Sequence, residues 1–169
     1  MGDRKAPTPP PADARRPAAP PAQPRHELSK AVPFDWPAAF EAQLSRLVGI
    51  LSVRPLPFGR EADLHDEIEA RCHLAGIAAR REYQLGKAFG RLDLFIPSGV
   101  DAGDPGVAIE LKADGGPSAV LRQLLRYADS PEVGALLLVT SRATLRGGLP
   151  PTLNDKPLRV YCAWRDGLR

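Results

Sequence analysis

Apolar residues recur at helical spacing in the stretch that starts at Asp35. Phe40, Leu44, Leu47 and Val48 fall on one face, Asp35 stands where an N-cap is needed, and Pro37 sits in the first turn. This predicts a helix from Asp35 to Leu51. The run Arg54-Pro55-Leu56-Pro57-Phe58-Gly59 then breaks the pattern as a linker. A second stripe, Leu64, Ile68, Cys72 and Ala75, predicts a helix from about Arg60 to Leu74, closed by Gly76. Projected at about 100° per residue, Glu61 falls on that stripe, whereas Asp66 and Glu67 point away.

Beyond Gly76 the period shortens. Arg81 to Leu85, Arg91 to Ile96 and Val107 to Ala113 read as three strands, separated by turn-rich segments at 86–90 and 97–106. A helix of about Ser118 to Ala128 follows, with Pro117 near its start. Val133 to Thr140 is almost wholly apolar, as suits a central strand covered on both faces. Pro150 and Pro151 mark a loop, and Leu158 to Trp164 reads as a final strand. The order helix–helix–strand–strand–strand–helix–strand–strand predicts an α/β domain with a mixed sheet of four to five strands flanked by helices. The unit from residue 107 to 140 should bring two strands together in parallel through a right-handed crossover.

Composition divides the chain. Eight of its 19 prolines lie in the first 24 residues, a stretch with almost no large apolar side chain to offset the entropy of ordering. Residues 1–30 therefore read as a disordered tail rich in Pro, Ala and Arg, residues 31–59 as a helix and linker, and residues 60–169 as the main domain. The tail carries a balance of +3, equal to the whole chain's +3, so the rest is neutral and offers only modest non-specific attraction to nucleic acid. No apolar run approaches the ~20 residues of a membrane span, and no amino-terminal signal pattern appears. Cys72 and Cys162 have no metal-type spacing and are expected as free thiols of a cytoplasmic protein. His26, His65 and His73 are scattered without a ligand set and are expected at the surface.

Against this background three charges stand out. Asp93 lies within Leu92-Asp93-Leu94-Phe95-Ile96, and Glu110 and Lys112 lie within Val107-Ala108-Ile109-Glu110-Leu111-Lys112. Charges inside apolar strands are costly unless something pairs with them or binds them. Alternation puts Glu110 and Lys112 on one face, and an antiparallel pairing of the two strands can set Asp93 beside Glu110. Two adjacent carboxylates need a proton or a cation between them, and Mg²⁺ takes oxygen ligands while keeping several waters. The plain alternative is a solvated strand face with a cross-strand ion pair.

Asp93 and the Glu110-Leu111-Lys112 triplet, in this order of elements, resemble the PD-(D/E)XK nuclease superfamily, whose restriction-endonuclease-like core runs α–β–β–β–α–β. The resemblance covers about Arg60 to Trp164; Leu92 replaces the proline frequent before the family's Asp. It implies a metal-dependent nuclease hydrolysing DNA. Asp93, Glu110 and the Leu111 backbone carbonyl would hold Mg²⁺, with Mn²⁺ as substitute, and Lys112 would assist the attacking water. Glu61 is the candidate for an additional helix carboxylate near the metal, with Glu67 in reserve; Glu82, at the start of the first strand, is a further acidic candidate. Gln123 and Tyr127, four apart on one helical face, resemble the Gln-x-x-x-Tyr feature of the RecB-type subgroup, which places Gln123 near the catalytic residues. Arg122 and Arg126, with Arg91 and Tyr127, are candidates for touching nucleic acid. The expected partner is DNA, with a homodimer or a partner protein as the source of specificity. The alternatives are a non-cleaving nuclease-fold module that binds nucleic acid or protein, and a small α/β domain of unrelated function.

Overall fold

The computed structural model describes residues 35–57, 60–99 and 103–163. The tail predicted at residues 1–30, and Trp164 as the end of the last strand, lie outside them. Chain order is α1 (Trp36–Leu51), α2 (Glu61–Leu74), β1 (Arg80–Gln84), β2 (Arg91–Ile96), β3 (Gly106–Lys112), α3 (Pro117–Ala128), β4 (Val133–Thr140), α4 (Ala143–Gly147), β5 (Thr152–Leu153) and β6 (Lys156–Cys162). The boundaries follow local chemistry. The Asp35 carboxylate accepts from the Ala38 amide at 3.2 Å and caps α1. Gly76, at φ +69°, ends α2, with the Ile77 amide donating to the Cys72 carbonyl at 2.8 Å.

The strands form one open mixed sheet in the order β1-β2-β3-β4-β6-β5. β2 pairs antiparallel with both β1 and β3, β3 and β4 are parallel, as are β4 and β6, and β5 returns antiparallel to β6. The parallel β3–β4 pair around α3 is as the pattern predicted. The sheet has six strands rather than four or five, because Thr152–Leu153 forms a short hairpin with β6. Its turn residues Asn154 and Asp155 both adopt left-handed backbone, at φ +48° and +61°, as a two-residue hairpin loop demands. The five-residue helix α4 was also not predicted.

Helices cover both faces. Leu44, Leu47, Leu64 and Ile68 from α1 and α2 pack on Leu94, Ile96, Ile109, Leu111, Leu137 and Val139. Val120, Leu124 and Tyr127 from α3 pack on Leu92, Phe95, Ala108, Leu136 and Leu138. The buried Arg71 guanidinium fixes α2 in place. It donates to the carbonyls of Leu51 at 2.6 Å, Arg54 at 2.8 Å and Pro55 at 3.0 Å, and to Glu67 at 2.7 Å. These bonds tie α2 to the end of α1 and account for Glu67, which is used structurally. Among the described residues no helix is long and apolar enough to cross a membrane.

Candidate metal centre

The site forms where β2 leaves β3. Their pairing covers Leu94 to Ile96 against Val107 to Ile109 and then stops. Continuing that register would set Asp93 opposite Glu110. Instead the Leu111 amide, left without a strand partner on this edge, donates to Asp93 Oδ2 at 2.7 Å. A carboxylate thus does the work of a missing backbone rung, which a buried amide requires. On its other edge β3 stays paired with β4 through Lys112, and Thr140 Oγ1 donates to the Lys112 carbonyl at 2.8 Å. In a strand the amide and carbonyl of one residue leave from the same edge. The Leu111 carbonyl therefore faces the gap beside β2.

Side chains of α2 reach Asp93 here: one ligand atom each of Glu61 and His65 from α2 and of Asp93 from β2 lie within 4.8 Å of one another. His65 Nε2 is 3.8 Å from Asp93 Oδ1. His65 is 6% exposed, and its Nδ1 is buried without a hydrogen-bond partner. The surface position expected for His65 is therefore corrected: it faces the cluster, while His73 is exposed. The sequence signal was present in Glu61, one helical turn earlier, which places His65 near the same face; the spacing to His73 was uninformative.

From the α3 side, Glu110 is 1% exposed, receives two donors and has a third polar group beside it. Lys112 Nζ reaches Oε1 at 2.5 Å, Gln123 Nε2 donates to Oε1 at 2.7 Å, and the Tyr127 hydroxyl lies 3.1 Å from Oε2. The same hydroxyl donates to the Arg91 carbonyl at 2.8 Å and accepts from Gln123 Nε2 at 2.6 Å. Tyr127 is thus a buried prop for Glu110, and a direct contact with nucleic acid is closed to it.

Burial and repulsion set the electrostatics. Burial raises the Asp93 carboxyl above its ordinary pKa, opposed by the Leu111 amide and the charges of His65 and Lys112. Burial, then the Asp93 charge, pushes Glu110 up to about 7. Burial pulls Lys112 down, but the hydrogen bond to Glu110, with the charges of Glu110, Asp93 and Glu61, outweighs it and raises its pKa. Tyr127 is raised by burial and by Glu110. Carboxyls held this far from their ordinary state answer to a cation or a proton.

No protein-family model, curated protein or solved structure matches the chain.

The donor set of two carboxylates and an imidazole suits a divalent cation. Glu61, His65 and Asp93 therefore form the cluster, while Glu110, outside that group of three, is held on the α3 face by Lys112 and Gln123. Arg122 and Arg126 stand exposed on the outer face of α3. Arg91 is exposed and ion-paired with Glu82 at 2.5 Å, so Glu82 faces Arg91 rather than the cluster.

Proposed function

We propose that the protein is a divalent-cation-dependent phosphodiester hydrolase acting on DNA, built on a PD-(D/E)XK nuclease core. The observation that carries the reading is the gap between β2 and β3, where Asp93 lies within reach of Glu61 and His65 and accepts from the Leu111 amide, between Glu110 and Lys112 in the chain. The run α2–β1–β2–β3–α3–β4 supports it by following the α–β–β–β–α–β order of that superfamily.

Asp93, Glu61 and His65 would hold the cation, joined by the Leu111 carbonyl beside them and by Glu110 from the neighbouring strand. When bound it would polarise a water and screen the charge of a scissile phosphate. The imidazole shifts the preference from Mg²⁺ toward Mn²⁺, since nitrogen donors suit the softer ion. Every other part of the chemistry falls to this chain's groups. The Leu111 amide fixes the Asp93 carboxylate. Gln123 and Tyr127 hold Glu110 in one rotamer. Lys112, a quarter exposed, turns its ammonium toward the incoming phosphate and stabilises the charge that builds on its oxygens as the P–O bond breaks. The exposed Arg122 and Arg126, and Arg91 on leaving its pair with Glu82, would meet flanking phosphates.

The test is cleavage of single-stranded, double-stranded and branched DNA with Mn²⁺ or Mg²⁺. The wild type is expected to cut at least one of them, and Lys112→Ala to lose ~100-fold or more. Full activity in Lys112→Ala would remove Lys112 from the mechanism, and no cleavage of any substrate would remove the activity. The engagement of Glu110 by Lys112, Gln123 and Tyr127 favours one second reading, a cation-dependent module that binds DNA without cutting it. Calorimetry with Mn²⁺ alongside the cleavage assay separates the two: binding without turnover selects the module.

A further inference from the structure

Glu82 adopts left-handed backbone, at φ +51°, in the middle of β1, a conformation that costs an L-residue and that glycine adopts freely. It sits at the β1 position facing Asp93: the register runs Arg81 to Leu94 and Tyr83 to Leu92 with no residue inserted on either side. Yet both strands exchange faces at this rung. In β2, Leu92 and Phe95 share the α3 side while Leu94 and Ile96 share the α2 side. In β1, Arg81 reaches Asp66 and Glu69 of α2 at 2.6 and 3.4 Å, whereas Tyr83 stacks on Phe95 with ring centroids 4.4 Å apart. In a regular strand, residues two apart share a face. Here Arg81 and Tyr83 do not, and neither do Leu92 and Leu94.

We infer that Glu82 is a positioning residue whose left-handed backbone inverts the β1–β2 ribbon and so turns the Asp93 carboxylate into the gap beside β3. A regular ribbon would direct Asp93 to one face of the sheet. It would then reach the Glu110 side or the His65 side, but not the Leu111 amide between them. The inversion occurs one rung from where β2 leaves β3, and strain of this kind concentrates where a side chain must be held in an otherwise unfavourable place. The Glu82 carboxylate has a separate part, its ion pair with Arg91, and both partners are about half exposed or more, so the backbone carries the effect.

The inference depends on the proposed function only for its cation arm. Hydrogen exchange of the Leu111 amide reports Asp93 placement without any metal, and Mn²⁺ titration of the full chain reports the cluster. Asp93→Ala supplies the exchange rate for a lost bond. Glu82→Val, which opposes left-handed backbone, is expected to speed Leu111 exchange at least tenfold toward that limit and to weaken Mn²⁺ at least tenfold. Glu82→Ala shifts both in the same direction, serving if the valine variant does not fold. Glu82→Gly restores both to within about twofold of wild type, and Glu82→Gln matches wild type, which separates backbone from charge. Wild-type Leu111 exchange in Glu82→Val or Glu82→Ala, or equal loss in Glu82→Gly, overturns the inference. Wild-type protein that binds no Mn²⁺ would sink the proposed cation site and leave the exchange result to decide Glu82.

Discussion

The two edges of β3 do different jobs. Toward β4 its register shifts once, between Gly106 and Val107, and then runs unbroken from Val107 to Lys112, and β4 beside it is buried at seven of its eight positions. Toward β2 the pairing lasts three residues and then opens on to Asp93. One edge is closed by backbone bonds and apolar side chains, the other by a carboxylate standing in for a rung. The closed edge therefore supplies stability that the open edge lacks, and the open edge concentrates charge that the closed edge could not accommodate.

The open edge should be the more sensitive to a single substitution. Asp93→Asn keeps an oxygen for the Leu111 amide but removes the charge. Mn²⁺ binding and DNA cleavage are expected to fall ~1,000-fold or more, as for loss of a metal-holding carboxylate, with the melting temperature of the metal-free protein at neutral pH unchanged or raised, because a buried charge that repels Glu110 is gone. A variant that folds and still binds Mn²⁺ like wild type would show that the gap is structural. On the closed side the pattern reverses. Leu137→Ala, at a fully buried position in β4, is expected to cost about 2–5 kcal/mol in denaturant unfolding, while Mn²⁺ affinity per folded molecule stays put.

Much of the closed edge was legible in the chain. The apolar run predicted β4 at its observed limits, Val133 to Thr140, and the short apolar run around Asp93, bounded by turn residues, predicted β2 at Arg91 to Ile96. Period and turn residues suffice where side chains simply follow the burial of their strand. Asp93, Glu110 and Lys112 were conspicuous for a related reason, since an ionised group in an apolar strand is an exception that needs a partner. The open edge was less so. His65 reads as polar in any local pattern, and its burial depends on Asp93, far along the chain. The face inversion at Glu82 leaves no periodic trace, because a five-residue strand is too short to show a phase change. The Asn154-Asp155 hairpin did carry a local signal, but its strand of two residues is too short for alternation to show.

Two smaller effects sharpen the contrast. His65→Ala should weaken Mn²⁺ about 10- to 100-fold and Mg²⁺ less, since the imidazole favours the softer ion; equal losses for both ions in calorimetry would make His65 a packing residue. The open edge should also carry a pH signature. Glu110 is raised from 4.5 to about 7 in the folded protein, so between those values the folded state holds more protons than the unfolded one. Stability of the metal-free protein should therefore fall as pH rises through this window, by up to about 3 kcal/mol. The raised Asp93 carboxyl adds in the same direction. Mn²⁺ at neutral pH should recover the loss. A melting temperature that rises from pH 5 to 7 without metal would contradict this.

The central claim is that a cation sits in the gap between β2 and β3. Crystals grown with Mn²⁺ and measured at an anomalous wavelength test it directly. The expected result is an anomalous peak within coordination distance of Asp93 and His65 Nε2, on the side of Asp93 away from the Leu111 amide. A peak elsewhere on the protein, with none between Asp93 and His65, would contradict it.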